Sequence, residues 1–313
     1  MAVASNRREF LQTAAVGAIG LSLPAAGCGG SAPAASLPVT RLAENIVMIA
    51  GAGANVVAAR AGDSIVMVDG GAAEHADDLA RTVAAEMGGD AQTLFNTHWH
   101  ADQTGSNERL GRAGAKIIAH ANTKQWLGSE IHVRWQDKTY PPLPDDALPT
   151  DTFYDAGEMA FGDGRIEYGY MLLPHTDGDI YVRFPEANVL VAGGALTSDR
   201  WPVVDWWTGG YVGALLDAHQ TLLGLADDET RIVPSDGPVM TRAELEEQAA
   251  MYVTIFDRLA TMLKDSYGPA DAVAARPTEG FKEEWGDPDQ FVELAFRSFF
   301  GHLRGNPQLG AIP

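Results

Sequence analysis

Between Asn96 and Asn107 the chain reads NTHWHADQTGSN, directly after a short apolar run, Gln92-Thr-Leu-Phe-Asn96. Side chains alternate along an extended segment, so His98 and His100 point the same way and Asp102 keeps the same alternation. Two imidazoles one residue apart can take one ion, with a third ligand supplied from elsewhere. A loop leaving the C-terminal end of a strand is also where the active sites of layered α/β folds collect. The stretch therefore asks for a layered α/β chain in which another strand end brings a further ligand to the first.

That ligand is His175, in Leu172-Leu-Pro-His175-Thr-Asp-Gly-Asp179, where Pro174 and Gly178 fix a turn at the end of a second run. Three neutral imidazoles with an open fourth position make a catalytic zinc site, the open position holding a water whose pKa falls to about 7. Around these motifs, β-branched runs separated by Gly/Ala turns predict strands over 45–50, 55–59, 64–69, 92–96 and 115–120. Beyond a Pro-rich loop at 140–144, more follow over 165–173, 180–184 and 188–192. A helix is expected over 74–87, stopped by Gly88-Gly89. The last third reads as helical, over 211–225, over 241–265 with the capping box Thr241-Arg-Ala-Glu244, and over 288–303. In the last of these, Phe291, Phe296, Phe299 and Phe300 form a stripe suited to core or dimer contact.

Composition narrows the function classes. With 42 acidic against 22 basic residues the formal charge is -20, which repels phosphate backbones and sets nucleic acid aside as a partner. Gly-rich phosphate loops and Gly-x-Ser-x-Gly nucleophile elbows are absent. A single cysteine, Cys28, leaves no disulfide framework and no cysteine metal site. The metal cleft is thus the candidate active site. At the N-terminus, Asn6-Arg7-Arg8-Glu9-Phe10-Leu11 resembles a twin-arginine export signal, followed by a weakly apolar stretch that suits a signal peptide better than a membrane span. Cys28, in Pro24-Ala-Ala-Gly-Cys28-Gly, resembles a lipoprotein cleavage box, although Ala25 stands where leucine is usual and cleavage near 32–36 stays open. The expected location is the periplasm or another extracytoplasmic space, with a lipid anchor as an option.

Taken in order, Val66-Met-Val-Asp69-Gly, Thr97-His98-Trp-His100-Ala-Asp102, Gly105, Pro174-His175-Thr-Asp-Gly-Asp179, Val189-Leu-Val-Ala-Gly193 and Val233-Pro234-Ser-Asp236-Gly237 resemble the metallo-β-lactamase superfamily across 42–246. The resemblance implies an α/β fold, a four-layer αβ/βα sandwich with the metal site at one edge between two sheets. It is nearest to periplasmic metallohydrolase-like branches with a long C-terminal helical region. The expected organisation is a signal over 1–28, a flexible linker over 29–40, the sandwich over 41–246 and a helical extension over 247–313.

The resemblance also implies that the first metal takes His98, His100 and His175. The family's second metal uses the aspartate at Asp102 and histidines where Gln103 and Asp236 stand here, and its bridging aspartate is replaced by Gly194. Three readings stay open: one Zn2+ with Asp102 orienting or deprotonating water; a mixed pair whose second, harder ion, such as Mn2+ or Mg2+, binds oxygens of Asp102, Gln103 and Asp236; or a relic cleft that only binds. Asp102 and His175 are the expected catalytic residues. Asp69 and Asp179 are expected to support the ligands by hydrogen bonds. Trp201, Trp206, Trp207 and Tyr211 are candidates for an apolar pocket wall, packing of the loop being the alternative. His120 is a further pocket candidate beside a structural reading, and Trp99 is expected to point away from the ligands.

The expected function is hydrolysis of an ester, lactone or amide carbonyl in a small molecule. A lyase or isomerase using the same pocket, or an inactive binding or accessory protein, are the alternatives. Expected partners are the small-molecule substrate, a membrane only through the lipid anchor, and a second copy through the C-terminal helices.

Overall fold

A computed structural model describes residues 37–304. The expected signal over 1–28 and most of the linker lie outside the described residues. The chain's period-two patterns sort into two faces, and that sorting builds the layers. In β3 (Val56–Ala61) the side chains of Val57 and Ala59 enter one core while Val56 and Ala58 enter another, and β4 (Ser64–Val68) divides Val66 and Val68 from Ile65 and Met67 in the same way. Strands apolar on both faces have to be covered on both, which demands a sheet sandwiched between other layers.

The first sheet has seven strands in the order β1 (Val39–Ala43), β2 (Ile46–Ile49), β3, β4, β5 (Thr93–Phe95), β6 (Lys116–His120) and β9 (Asp151–Phe153). Its first four strands run antiparallel, and β4, β5, β6 and β9 pair in parallel. The second sheet has five strands, β10 (Ala156–Phe161), β11 (Gly164–Tyr170), β12 (Ile180–Phe184), β13 (Val189–Thr197) and β14 (Arg231–Asp236). Between the sheets lies one core, to which Val57, Val66, Phe95 and Ile118 contribute from one side and Ile166, Val182 and Val191 from the other. Helix α1 (Ala76–Met87) buries Leu79, Val83 and Met87 against the outer face of the first sheet, and α5 (Val212–Leu225) covers the outer face of the second through Ala218 and Leu222. The result is the expected four-layer αβ/βα sandwich.

Gly88, at φ 76, ends α1 at the expected stop, a left-handed position that suits glycine. The short helices α2 (Ala101–Thr104), α3 (Asn107–Arg112) and α4 (Ala121–Leu127), and the hairpin of β7 (Ile131–Val133) and β8 (Lys138–Tyr140), were not foreseen, being too short for a periodicity to show. β11 stops at Tyr170, short of the expected 173, because Leu173 turns the chain with φ 60.

Past the sandwich, α6 (Arg242–Lys264), α7 (Pro269–Ala274) and α8 (Asp289–Arg304) pack with α5 around a separate core. The capping box at Thr241 and Glu244 is formed, satisfying orphan N–H groups at the start of α6. Phe291, Phe296 and Phe299 of the stripe are buried in this core, so the stripe serves the chain's own packing. Among the described residues no helix is long and apolar enough to cross a membrane.

Candidate metal centre

His98 and His100 leave the C-terminal end of β5, and His175 sits in the loop from β11 to β12, on the facing sheet. The backbone stitches these loops together, since the Ile180 N–H donates to the Thr97 carbonyl at 2.9 Å. One ligand nitrogen from each of His98, His100 and His175 can be chosen so that all lie within 4.8 Å of one another. The three rings meet edge to face, with centroids 4.6 to 4.8 Å apart.

Each imidazole is held by one nitrogen from behind. His98 Nδ1 lies 3.0 Å from Thr97 Oγ1, and that hydroxyl donates to Asp69 Oδ2 at 2.8 Å. With its proton spent on Asp69, the hydroxyl oxygen accepts from the ring, which puts the His98 proton on Nδ1. Asp69 also accepts the Thr97 N–H at 2.8 Å through Oδ1, so this carboxylate fixes the start of the ligand loop. His175 Nδ1 lies 3.3 Å from Asp179 Oδ1, while Asp179 Oδ2 accepts the N–H groups of His175 and Thr176. His100 Nε2 lies 3.2 Å from Asp205 Oδ2. The network therefore assigns tautomers that leave His98 Nε2, His100 Nδ1 and His175 Nε2 with free lone pairs.

This donor set fits a divalent metal ion: three imidazole nitrogens, converging, each oriented by a carboxylate or by a hydroxyl backed by one. Electrostatics agree for His98. Burial, with His175 and His100 beside it, holds its pKa well below the ordinary value, so the ring stays neutral and can ligate. For His175 burial pulls down, but the bond to Asp179 and the charges of Asp179, Asp205 and Asp102 outweigh it and the net direction is up. Asp205 is fully buried; burial raises its pKa, yet the bonds from His100 and Thr208 prevail and hold it below the usual carboxylate range. These carboxylates make the pocket attractive to positive charge.

Asp205 was missed in the sequence. It stands just before a single 3-10 turn, Trp206–Thr208, and its Oδ1 accepts the Trp207 N–H at 3.3 Å. Thr208 Oγ1 donates to Asp205 Oδ2 at 2.7 Å and accepts from Trp99 Nε1 at 3.0 Å. Trp99, the residue between the two histidines, thus points away from the ion and closes a ring back to His100. The available signal was that Arg200 and Asp205 are the only charged residues in the aromatic stretch 200–211, and an acid placed in apolar surroundings demands a partner.

The expected pocket wall is redrawn. Trp201 is buried in the C-terminal core, stacked on Phe291 at 5.3 Å, with Nε1 donating to the Gly286 carbonyl. Tyr211 stacks on His302 at 4.1 Å, and Trp206 lies against Trp207 and Gly301. His120 caps α4, accepting the Asn122 N–H, and stacks on Tyr170 at 4.1 Å, which is the structural role. Trp207 alone of this set is two residues from Asp205, and Arg134 of the hairpin lies over its ring at 4.5 Å.

Asp102 stands on the first turn of α2, half-buried, and is not brought into the three-histidine group. Gln103 is buried, with its amide oxygen unpartnered. Asp236 Oδ1 accepts from Arg200 Nη2 at 2.6 Å, and Oδ2 accepts from Ser235 Oγ at 3.1 Å. At Gly194 an added Cβ would come within 2.3 Å of His175 Nδ1.

Comparison with known proteins places this architecture. Residues 50–240 match the profile of the Metallo-beta-lactamase superfamily, and the chain belongs to that superfamily. Solved structures similar to it include a metallo-beta-lactamase from Pontibacter korlensis, 18% identical, with a TM-score of 0.55 over 69% of this chain and 99% of the other. The DIM-1 metallo-beta-lactamase is 19% identical, with a TM-score of 0.55 over 70% of this chain and 98% of its own. The stereoselective inverting sec-alkylsulfatase Pisa1 from Pseudomonas sp. is 14% identical, with a TM-score of 0.64 over 88% of this chain and 52% of the sulfatase. At such identities the likeness is one of fold.

Proposed function

We propose that the protein is a zinc-dependent hydrolase of small molecules bearing an ester, lactone or amide carbonyl. The observation that carries this reading is the tautomer lock: Asp179, Asp205 and the Thr97–Asp69 pair each hold one ring nitrogen and present the other. Bound there, zinc supplies Lewis acidity, lowering the pKa of water and stabilising negative charge on a carbonyl oxygen. The chain does the rest. His98, His100 and His175 would hold the ion, and Asp179, Asp205 and the Thr97–Asp69 pair keep the rings aimed. Asp102, half-buried on α2, orients the attacking water and accepts its proton. Trp99, turned away onto Thr208, excludes water behind His100.

The test is a panel of aryl esters, lactones and amides, assayed with chelator-stripped and zinc-reloaded protein. Turnover that vanishes on stripping and returns with zinc supports the reading; turnover indifferent to stripping, or none by the zinc-loaded protein on any member, overturns it. A secondary alkyl sulfate belongs in the panel, because the likeness to the sec-alkylsulfatase covers 88% of this chain against 69% for the lactamase from Pontibacter korlensis. We place the protein outside the cytoplasm, a reading supported by Arg7-Arg8 and the apolar stretch after them.

A further inference from the structure

We propose that Arg200 takes the place of a second metal ion, so that the centre holds one ion and the cleft's second positive charge is a permanent guanidinium. The inference rests on the three-histidine reading above and concerns the other half of the cleft. Asp102 and Asp236 are electrostatic neighbours: burial and then the charge of Asp102 push the Asp236 carboxyl up, against the opposing pull of Arg200. A carboxylate burdened by burial and a like charge is relieved by a cation beside it.

Arg200 supplies it. Its Nη2 lies 2.6 Å from Asp236 Oδ1, and Ser235 Oγ donates to the other oxygen, so each carboxylate oxygen of Asp236 already carries a hydrogen bond and an ion there would compete with a guanidinium. The backbone that carries Arg200 is held in place. Thr197 Oγ1 donates to the Arg200 carbonyl at 2.6 Å, and Gln248 Nε2 on α6 donates to the Thr197 carbonyl at 2.9 Å. Ser198 ties the same loop to β14, its N–H donating to the Asp236 carbonyl at 3.0 Å and its Oγ to the Pro238 carbonyl at 2.7 Å.

The remaining donors do not make a metal site on their own. No carboxylate can come from position 194, where a Cβ would meet the His175 ring at 2.3 Å. That leaves Asp102 and the unpartnered amide oxygen of Gln103, one carboxylate and one neutral oxygen, a weak pair for a divalent ion. Removing Arg200 would free Asp236 and complete an all-oxygen set, Asp102, Gln103 and Asp236, whose hardness favours Mn2+ or Mg2+ over zinc. Arg200 is thus a positioning residue that sets the ion count.

Isothermal titration of chelator-stripped full-length protein reads this directly, first with Zn2+ and then, on zinc-loaded protein, with Mn2+. Wild type and Arg200→Lys should take one zinc per chain and no manganese. Arg200→Ala should take one zinc and one further Mn2+, an uptake that disappears in the double variant Arg200→Ala with Asp236→Ala. Arg200 is 58% exposed, so the variants should melt within a few degrees of wild type. A manganese event in wild type or Arg200→Lys, or none in folded Arg200→Ala, overturns the proposal. If wild type takes no zinc, the three-histidine reading fails instead, and manganese uptake by stripped Arg200→Ala against stripped wild type still decides the role of Arg200.

Discussion

Around His98, His100 and His175 each ring is anchored through one nitrogen and left open at the other, whereas Asp236 is paired with Arg200 and Gln103 is left with a buried orphan oxygen. Both halves of the cleft carry acidic residues. In the first, carboxylates stand behind the imidazoles and aim them; in the second, a carboxylate faces a side-chain cation. A metal half therefore needs more than ligand-type residues at the right spacing: it needs second partners that fix the ligands while leaving lone pairs unspent. Gly194 joins the halves, since the absence of a side chain there gives the His175 ring its room.

The contrast can be broken most severely at a ligand. His98→Ala should reduce kcat/KM on any substrate found by on the order of 10³-fold or more, because it removes a group the reaction cannot do without. The next effect comes from the shared position. Gly194→Ala adds only a methyl, yet it meets His175 Nδ1 at 2.3 Å, so zinc affinity should fall on the order of 100-fold, read by competition with a chromophoric chelator. Affinity equal to wild type would show that the ring can shift freely. Asp205→Asn should cost on the order of 10-fold in the same assay, since the amide keeps a contact to His100 but loses the charge that fixes its tautomer.

A buried histidine outside the cleft sharpens the comparison from the other side. His219 has Nδ1 on the Leu215 carbonyl at 2.7 Å and Nε2 unpartnered, and burial pushes its pKa down to about 4. Because the folded value lies below the unfolded one, the unfolded state binds more protons in between; stability is intact above about pH 6.5 and declines as pH falls toward 4. The loss attributable to His219 is on the order of 3 kcal/mol. His219→Gln should flatten that part of the pH dependence of denaturant unfolding and leave zinc binding unchanged; an unaltered slope would assign the acid sensitivity elsewhere.

Strands such as 55–59 and 64–69 were legible as β-branched runs between turns, while the four-layer sandwich was legible through the ordered motifs that resemble the superfamily; the apolar residues those strands carry on both faces are the physical reason it forms. His98, His100, His175, Asp69 and Asp179 were legible because each sits within a short motif. Asp205 was not, since it reaches His100 across 105 positions and gives no local spacing to detect. The same holds for Arg200 and Asp236, which pair over 36 positions. Trp201 reads as pocket or packing with equal ease in one dimension; only the fold shows Phe291 waiting for it. What escaped the sequence is largely partner choice over long separations.

Elemental mass spectrometry of protein purified without added metal or chelator, on wild type and His175→Ala, bears on all of this. The expected result is about one zinc per chain in wild type and almost none in the variant. No metal in wild type even after incubation with zinc, or undiminished zinc in His175→Ala, would contradict a centre built on these three histidines.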